Sequence, residues 1–288
     1  MSGDDAGLTT RRTAHAAGAL GLVDAAGRGQ RIEALPAGPV LFARYAYPPN
    51  SLGYCGPNDP AALLEAGSSG EGVDTLTHLA THFEGAWPYL QLIAAANARR
   101  DPLDPHVVEA YWLGNPLVTR VPPLLLARSL EERFERRAGR RFAPLIAAVD
   151  AGAVPQHSLH VFAVYPFLGL LRAGVGGAPL QVIDRCRIRW GQVEAVIGDV
   201  VTVRSRPLGF SGSQLVLESE RVEQVRRGRD GVGFTSDLQA GDVVALHWDW
   251  VCDRLSARQL RWLQACTQRN LAAVNRLAHP GPAFVCGA

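Results

Sequence analysis

QVEAVIGDVVTVRS, residues 192–205, alternates apolar and polar side chains on either side of Gly198-Asp199. A period of two is the signature of a strand, and a Gly-Asp pair between two such runs reads as the turn of a β-hairpin. QLVLES (214–219), RVEQV (221–225) and DVVALHW (242–248) read as further strands, with no helical pattern between them. Several short strands in succession suggest a small barrel. Ser256 then caps a last helix whose Leu260, Leu263, Cys266, Leu271 and Val274 share one side.

Working outward, the glycine-rich stretch GVGGAP (174–179) separates the strands from a region that reads as mostly helical. A helix starting at Thr9 or Thr10 runs to about residue 24, and VLFARYAYPPN (40–50) reads as a strand or extended segment ending at a double proline. Asn58 or Asp59 before Pro60 starts a helix that Gly67 stops. Val73, Leu76, Leu79, Phe83, Trp87, Leu90 and Ile93 recur at helical steps, which predicts one long helix over 73–99 kinked at Pro88. Helices follow near 104–112, 123–138, 142–151 and 157–172. The expected fold is α+β: a helical domain over 1–178, a small OB-like β-barrel with its trailing helix over 179–275, and a tail over 276–288.

The 288 residues are 47% apolar and 19% charged, enough for a sizeable core. A net charge of +2 and scattered arginines, apart from Arg136, Arg137, Arg140 and Arg141, give no footprint for nucleic acid. The opening MSGDDAGLTTRRT lacks the apolar segment of a signal peptide, and the most apolar run, HVFAVYPFLGLL (160–171), is too short to span a membrane. A cytoplasmic protein without membrane contact is expected. Five cysteines at irregular spacing, with no C-x-x-C pair, argue against a disulfide framework or a zinc site built of cysteines alone.

One histidine stands in a strand otherwise made of Val, Ala and Leu. In DVVALHWD, Val243, Ala245 and His247 face one way and Val244, Leu246 and Trp248 the other. IDRCRIRWGQVEAVIGDVVTV (183–203) places Cys186 where the first strand begins, between Arg185 and Arg187, which favour a thiolate if the sulfur is exposed. Closing a barrel brings such strand ends together, and thiolate with imidazole suits iron, copper or zinc. Asp249, if the strand continues, shares the face of His247 and can orient its ring.

C-x-x-x-x-G-x-V-x-x-V-x-G-D-x-V-x-V, followed by L-x-x-G-D-x-V-x-x-H and a helix, resembles the HypC/HupF hydrogenase-assembly chaperones. The resemblance spans about residues 183–275. It implies a small β-barrel with a trailing helix that holds the Fe(CN)2(CO) unit of [NiFe]-hydrogenase, works with a HypD-like scaffold and docks on the large-subunit precursor. The family's cysteine falls on Cys186 and its histidine on His247. The sequence departs from the family in three ways: Cys186 is internal, Trp190 stands where proline is usual, and the segment between the motifs is longer.

The helical region offers candidates of its own, for a metal- or thiol-dependent enzyme. Cys55, in SLGYCGPND (51–59), sits before a helix start whose dipole acidifies a nearby thiol. It reads as a second iron ligand, a redox partner of Cys186, a nucleophile, or a loop residue chosen for size. His78 and His82 lie one helical turn apart, and His106 with Glu109 and His157 with His160 are i, i+3 pairs. Histidines so placed are usually caps and hydrogen-bonding partners. Of these, His157 and His160 are the preferred functional pair, because they open a buried helix. A non-catalytic assembly partner is the third possibility.

Overall fold

The structure is a computed structural model that describes residues 35–138 and 142–277. The helix expected over residues 9–24, the arginines at 140 and 141, and Cys286 lie outside them.

Twelve helices and nine strands are described. The helices are α1 (Gly38–Ser51), α2 (Pro60–Ser69), α3 (Val73–Thr81), α4 (Trp87–Ala96), α5 (Pro105–Trp112), α6 (Pro116–Thr119), α7 (Pro123–Ala138), α8 (Phe142–Asp150), α9 (His157–Leu159), α10 (Phe167–Arg172), α11 (Ala178–Cys186) and α12 (Ala257–Arg276). A π-helical turn, His160–Val164, continues α9. Tyr165 then turns extended, as the residue before Pro166 must, so the expected 157–172 helix is broken there.

Two more helical expectations change. Residues 40–50 form the buried helix α1 and not an extended segment, although Pro48 and Pro49 sit inside it. Burial of Leu41, Phe42, Tyr45 and Tyr47 outweighs the local cost of the prolines. The single helix expected over 73–99 is two helices, α3 and α4. Residues 82–86 turn between them, and Pro88 sits in the first turn of α4, where its missing N–H costs nothing. Asp59 caps α2 by accepting from the Ala62 N–H at 3.2 Å, as its sequence suggests. Ser256 and Gln259 form a capping box on α12.

The strands are β1 (Arg189–Ile197), β2 (Val200–Ser205), β3 (Leu208–Ser211), β4 (Gln214–Leu217), β5 (Arg221–Arg226), β6 (Gly228–Arg229), β7 (Val232–Gly233), β8 (Val243–His247) and β9 (Trp250–Arg254). Five of them pair in the closed order β1-β2-β5-β9-β8, with β8 returning to β1. The hairpin expected at Gly198-Asp199 joins β1 to β2, with Ile197 opposite Val200. All contacts within this ring are antiparallel except the single β5–β9 bridge, Arg226 opposite Trp250. The long segment between the two motifs is used by the β3–β4 hairpin, which docks on α12 through the Asn275 side chain: Asn275 accepts from Leu215 N–H and donates to Leu215 O.

Alternation along β8 divides two cores. Val244 and Leu246 point inward with Val193, Val201, Val203, Val225 and Val251. Ala245 points outward into the larger core built by the helices. That core runs without a gap from α1 through Ile183 and Ile188 to Trp250 and Leu263. The described residues belong to one compact unit, and the glycine-rich break, with α10 before it and α11 after it, does not divide the core. Glu109 reinforces the join: buried on α5, it accepts from Arg258 and Gln259 of α12 and from Asn115. Among the described residues no helix is long and apolar enough to cross a membrane.

Candidate metal centre

His247 ends β8 on the strand's outward face, and that face is covered. Its Nδ1 donates to the backbone carbonyl of Tyr45 at 2.6 Å. The acceptor is available for a reason written in α1. In a helix the Tyr45 carbonyl receives the N–H of the residue four positions on, and that residue is Pro49, which has none. With its proton on Nδ1, the ring presents the lone pair of Nε2, which is buried and has no hydrogen-bond partner.

Cys186 is the last residue of α11 and His157 the first of α9. One donor atom from each of His157, Cys186 and His247 lies within 4.8 Å of the other two, and all three residues are buried. The rings of His157 and His247 are 5.3 Å apart, edge to face, and both pack on Trp112. His157 Nε2 donates to the Cys186 carbonyl at 2.9 Å, and its Nδ1 meets the Tyr111 hydroxyl at 3.0 Å. Both nitrogens of His157 are thus engaged. Cys186 Sγ and His247 Nε2 are the donors ready to ligate, and His157 joins them by giving up one hydrogen bond.

Burial sets the protonation. Desolvation pulls the His157 ring down to about 4, outweighing the upward pull of its bond to the Cys186 carbonyl. His160 is lowered to about 3 by burial, by His157 and by Arg133. His247 falls well below the usual imidazole range for the same first reason. The Cys186 thiol is pushed well up, by desolvation first and then by Cys55. The set at neutral pH is therefore neutral imidazoles beside a protonated thiol, not the thiolate expected from flanking arginines. Those arginines point elsewhere: Arg185 binds Asp249 at 2.5 Å, and buried Arg187 binds Asp184 at 2.9 Å and the Arg206 carbonyl at 2.6 Å.

The site opens on a cavity of about 250 Å³ with mostly apolar walls. Phe83, Tyr111, Trp112, Tyr165 and Phe167 line it, together with Cys55, His160 and the three clustered residues. Its mouth is roofed by Tyr54, which stacks on Trp248 at 4.3 Å. Trp248 is held at φ +53° in the two-residue turn between β8 and β9. Its N–H binds the Arg185 carbonyl, and its own carbonyl accepts from buried Arg189 at 2.5 Å. Such a conformation is costly for a large side chain and persists because its surroundings fix it.

Several expectations are corrected by this geometry. Cys186 and His247 do meet, but buried at the wall of a cavity and not at an open rim. Asp249 does not orient His247, because the strand ends at 247 and the carboxylate turns out to Arg185. Cys55 is not acidified by a helix: it precedes α2 by a turn, and burial pushes its thiol up to about 12. His78 and His82 are exposed and pack on each other at 4.8 Å, away from the cavity. His106 is also exposed, while its i+3 partner Glu109 ties α5 to α12. His160 is buried in the cavity wall between Tyr89 and Tyr165, with Nδ1 unpartnered. His157, grouped in sequence only with His160, joins Cys186 and His247 instead. Tyr45, Tyr111 and Trp112 were not expected at the site. Pro49, opposite a strand histidine about 200 residues on, is the one local signal that points to Tyr45.

A sequence profile described as a family of unknown function, DUF6390, matches residues 34–280. The chain belongs to this family. No curated protein and no solved structure matches it. The matched span contains every residue of the cluster and the cavity, so the DUF6390 region carries the whole candidate centre.

Proposed function

We propose that this DUF6390 chain is a metal-centre carrier of the HypC-like kind, an assembly factor rather than an enzyme. Its cargo is iron, bound through Cys186 and His247 with His157 as the third donor. Its destination is the large-subunit precursor of [NiFe]-hydrogenase, reached directly or by way of a HypD-like scaffold. The barrel is the OB-like element of that resemblance, and the helices supply the walls that a HypC-like barrel alone would lack.

The supporting observation is the buried His157–Cys186–His247 group with an orphaned Nε2 facing an apolar cavity. Two imidazoles and a sulfur are borderline-to-soft donors, suited to iron, copper or zinc and poor for calcium or magnesium. The orphaned nitrogen fits a metal, since a buried acceptor without a partner is otherwise costly. The apolar wall suits an iron that carries small uncharged ligands such as carbon monoxide. A protonated thiol beside neutral imidazoles is a weak nucleophile, which disfavours a thiol hydrolase and suits a site that sheds a proton when metal arrives.

The test is anaerobic loading of the full chain with Fe(II), followed by metal analysis of the wild type, Cys186→Ser and His247→Gln. One equivalent in the wild type and little in either variant is expected. In a host whose hydrogenase matures through this chain, Cys186→Ala should abolish maturation while the protein accumulates normally. Full maturation in that variant would overturn the proposal.

A further inference from the structure

The three-donor group has a charge imbalance. A bare divalent ion, carrying no anionic ligand of its own, keeps a net charge of +1 when held by one thiolate and two neutral imidazoles in a buried site. No carboxylate lines the cavity among the described residues. The acids nearest in sequence to its ligands are already matched: Asp184 with Arg187, and Asp249 with Arg185. On the other wall, the buried guanidinium of Arg133 lies 4.2 Å over the Tyr89 ring, which packs against His160, and adds to the positive field. An uncompensated buried charge is strongly unfavourable.

One cavity residue can cancel that charge, and resting on the carrier proposal we infer that Cys55 is the fourth protein ligand, making the loaded centre a neutral two-thiolate site. The fold holds the Cys55 turn against the cavity from both sides. Tyr54, the residue before, stacks on Trp248, the residue after His247. Gly56, the residue after, lies against the ring of Phe83, where a Cβ would come within 2.3 Å. Asn50 donates to the carbonyls of Cys55 and Pro57, at 2.8 and 2.5 Å, and pins the turn to the end of α1. Cys55 thus lines the same cavity as Cys186, although it stands outside the group within 4.8 Å. Gly53 and Gly56, at φ +75° and +80°, flank it, and Gly53 has no neighbour within 4 Å of a would-be Cβ. On this inference the Cys55 sulfur closes on the other three donors when metal arrives, and the glycines on either side give its turn the freedom to move. Loading breaks two S–H bonds, forms two metal–sulfur bonds and releases two protons to the buffer, with no change of oxidation state.

The experiment loads the full chain with cobalt(II), whose thiolate charge-transfer absorption scales with the number of Co–S bonds. Proton release is followed in parallel in weak buffer. Wild type should show two thiolates and two protons per cobalt, and Cys55→Ser or Cys55→Ala should lose about half of each signal while still binding cobalt. Cobalt should also protect Cys55 of the wild-type chain from iodoacetamide, read by peptide mass, which requires no variant to fold. A one-thiolate spectrum unchanged in Cys55→Ser, an alkylated Cys55 in the loaded chain, or a spectrum that shifts with added azide would overturn the inference and leave the three-donor carrier standing. No cobalt bound, or full binding by Cys186→Ser, would remove the carrier reading itself.

Discussion

Lowering the pH from 7 to 5 should unfold this protein by way of three rings. His157, His160 and His247 are neutral in the folded chain, held to about 4, about 3 and well below the usual range. In the unfolded chain each takes up a proton near pH 6.5. Above that pH neither state binds the proton and nothing is lost. Below it the unfolded state alone binds, so stability falls as the pH drops, until the folded pKa is reached. At pH 5 each ring whose folded pKa is about 4 or lower has cost roughly 2 kcal/mol, a figure set almost entirely by the unfolded value. His157 and His160 together give roughly 4 kcal/mol, and His247 adds in the same direction, against a whole stability of about 5–15 kcal/mol for many domains. Urea unfolding of the metal-free chain at pH 7, 6 and 5, followed by tryptophan fluorescence, measures it directly. His160→Gln should lower the pH dependence by about 2 kcal/mol over the interval. Equal unfolding free energies at pH 7 and pH 5, or an unaltered slope in His160→Gln, would refute the claim that these imidazoles are folded in uncharged.

Pro49→Ala supplies an N–H that competes with His247 for the Tyr45 carbonyl; metal affinity should fall about 10–100-fold, as for other outer-shell acceptors, while the thermal midpoint holds or rises because α1 loses an internal proline. Titration with cobalt beside a thermal melt separates the two effects. Glu109→Ala removes the acceptor shared by Asn115, Arg258 and Gln259 and should cost about 1–3 kcal/mol in urea unfolding, the discount reflecting half-exposed Arg258. Gly38→Ala places a Cβ 1.5 Å from the Leu103 carbonyl oxygen and should cost about 1–3 kcal/mol or more, read by the same assay.

The strands were legible because their periodicity is local. Val193, Val201, Val203, Val244 and Leu246 alternate as a half-buried sheet requires, and their inner face is the barrel core. The end caps were legible for the same reason, as Asp59 and Ser256 show. Two things resisted. A double proline usually ends regular structure, yet α1 contains one, because the burial of its aromatics outweighs the local cost. The partners of His247 lie about 60, 90 and 200 positions away, at Cys186, His157 and Tyr45, and no spacing rule links residues joined only by packing. Cys186 and His247 could be paired from the barrel pattern. Their burial could not, since it comes from helices whose docking on the outer face of β8 leaves no periodic trace.

That outer face has a consequence for anyone who would cut the molecule. The imidazole comes from the sheet, the sulfur from the helix leading into it, and the wall and the ring-steering carbonyl from the first half of the polypeptide. Severed at its glycine-rich stretch, the chain would leave Cys186 and His247 on one piece, stripped of His157, of most of the cavity wall and of the steering carbonyl, and grafting the β-module alone onto a foreign scaffold would transplant a bare ring open to water.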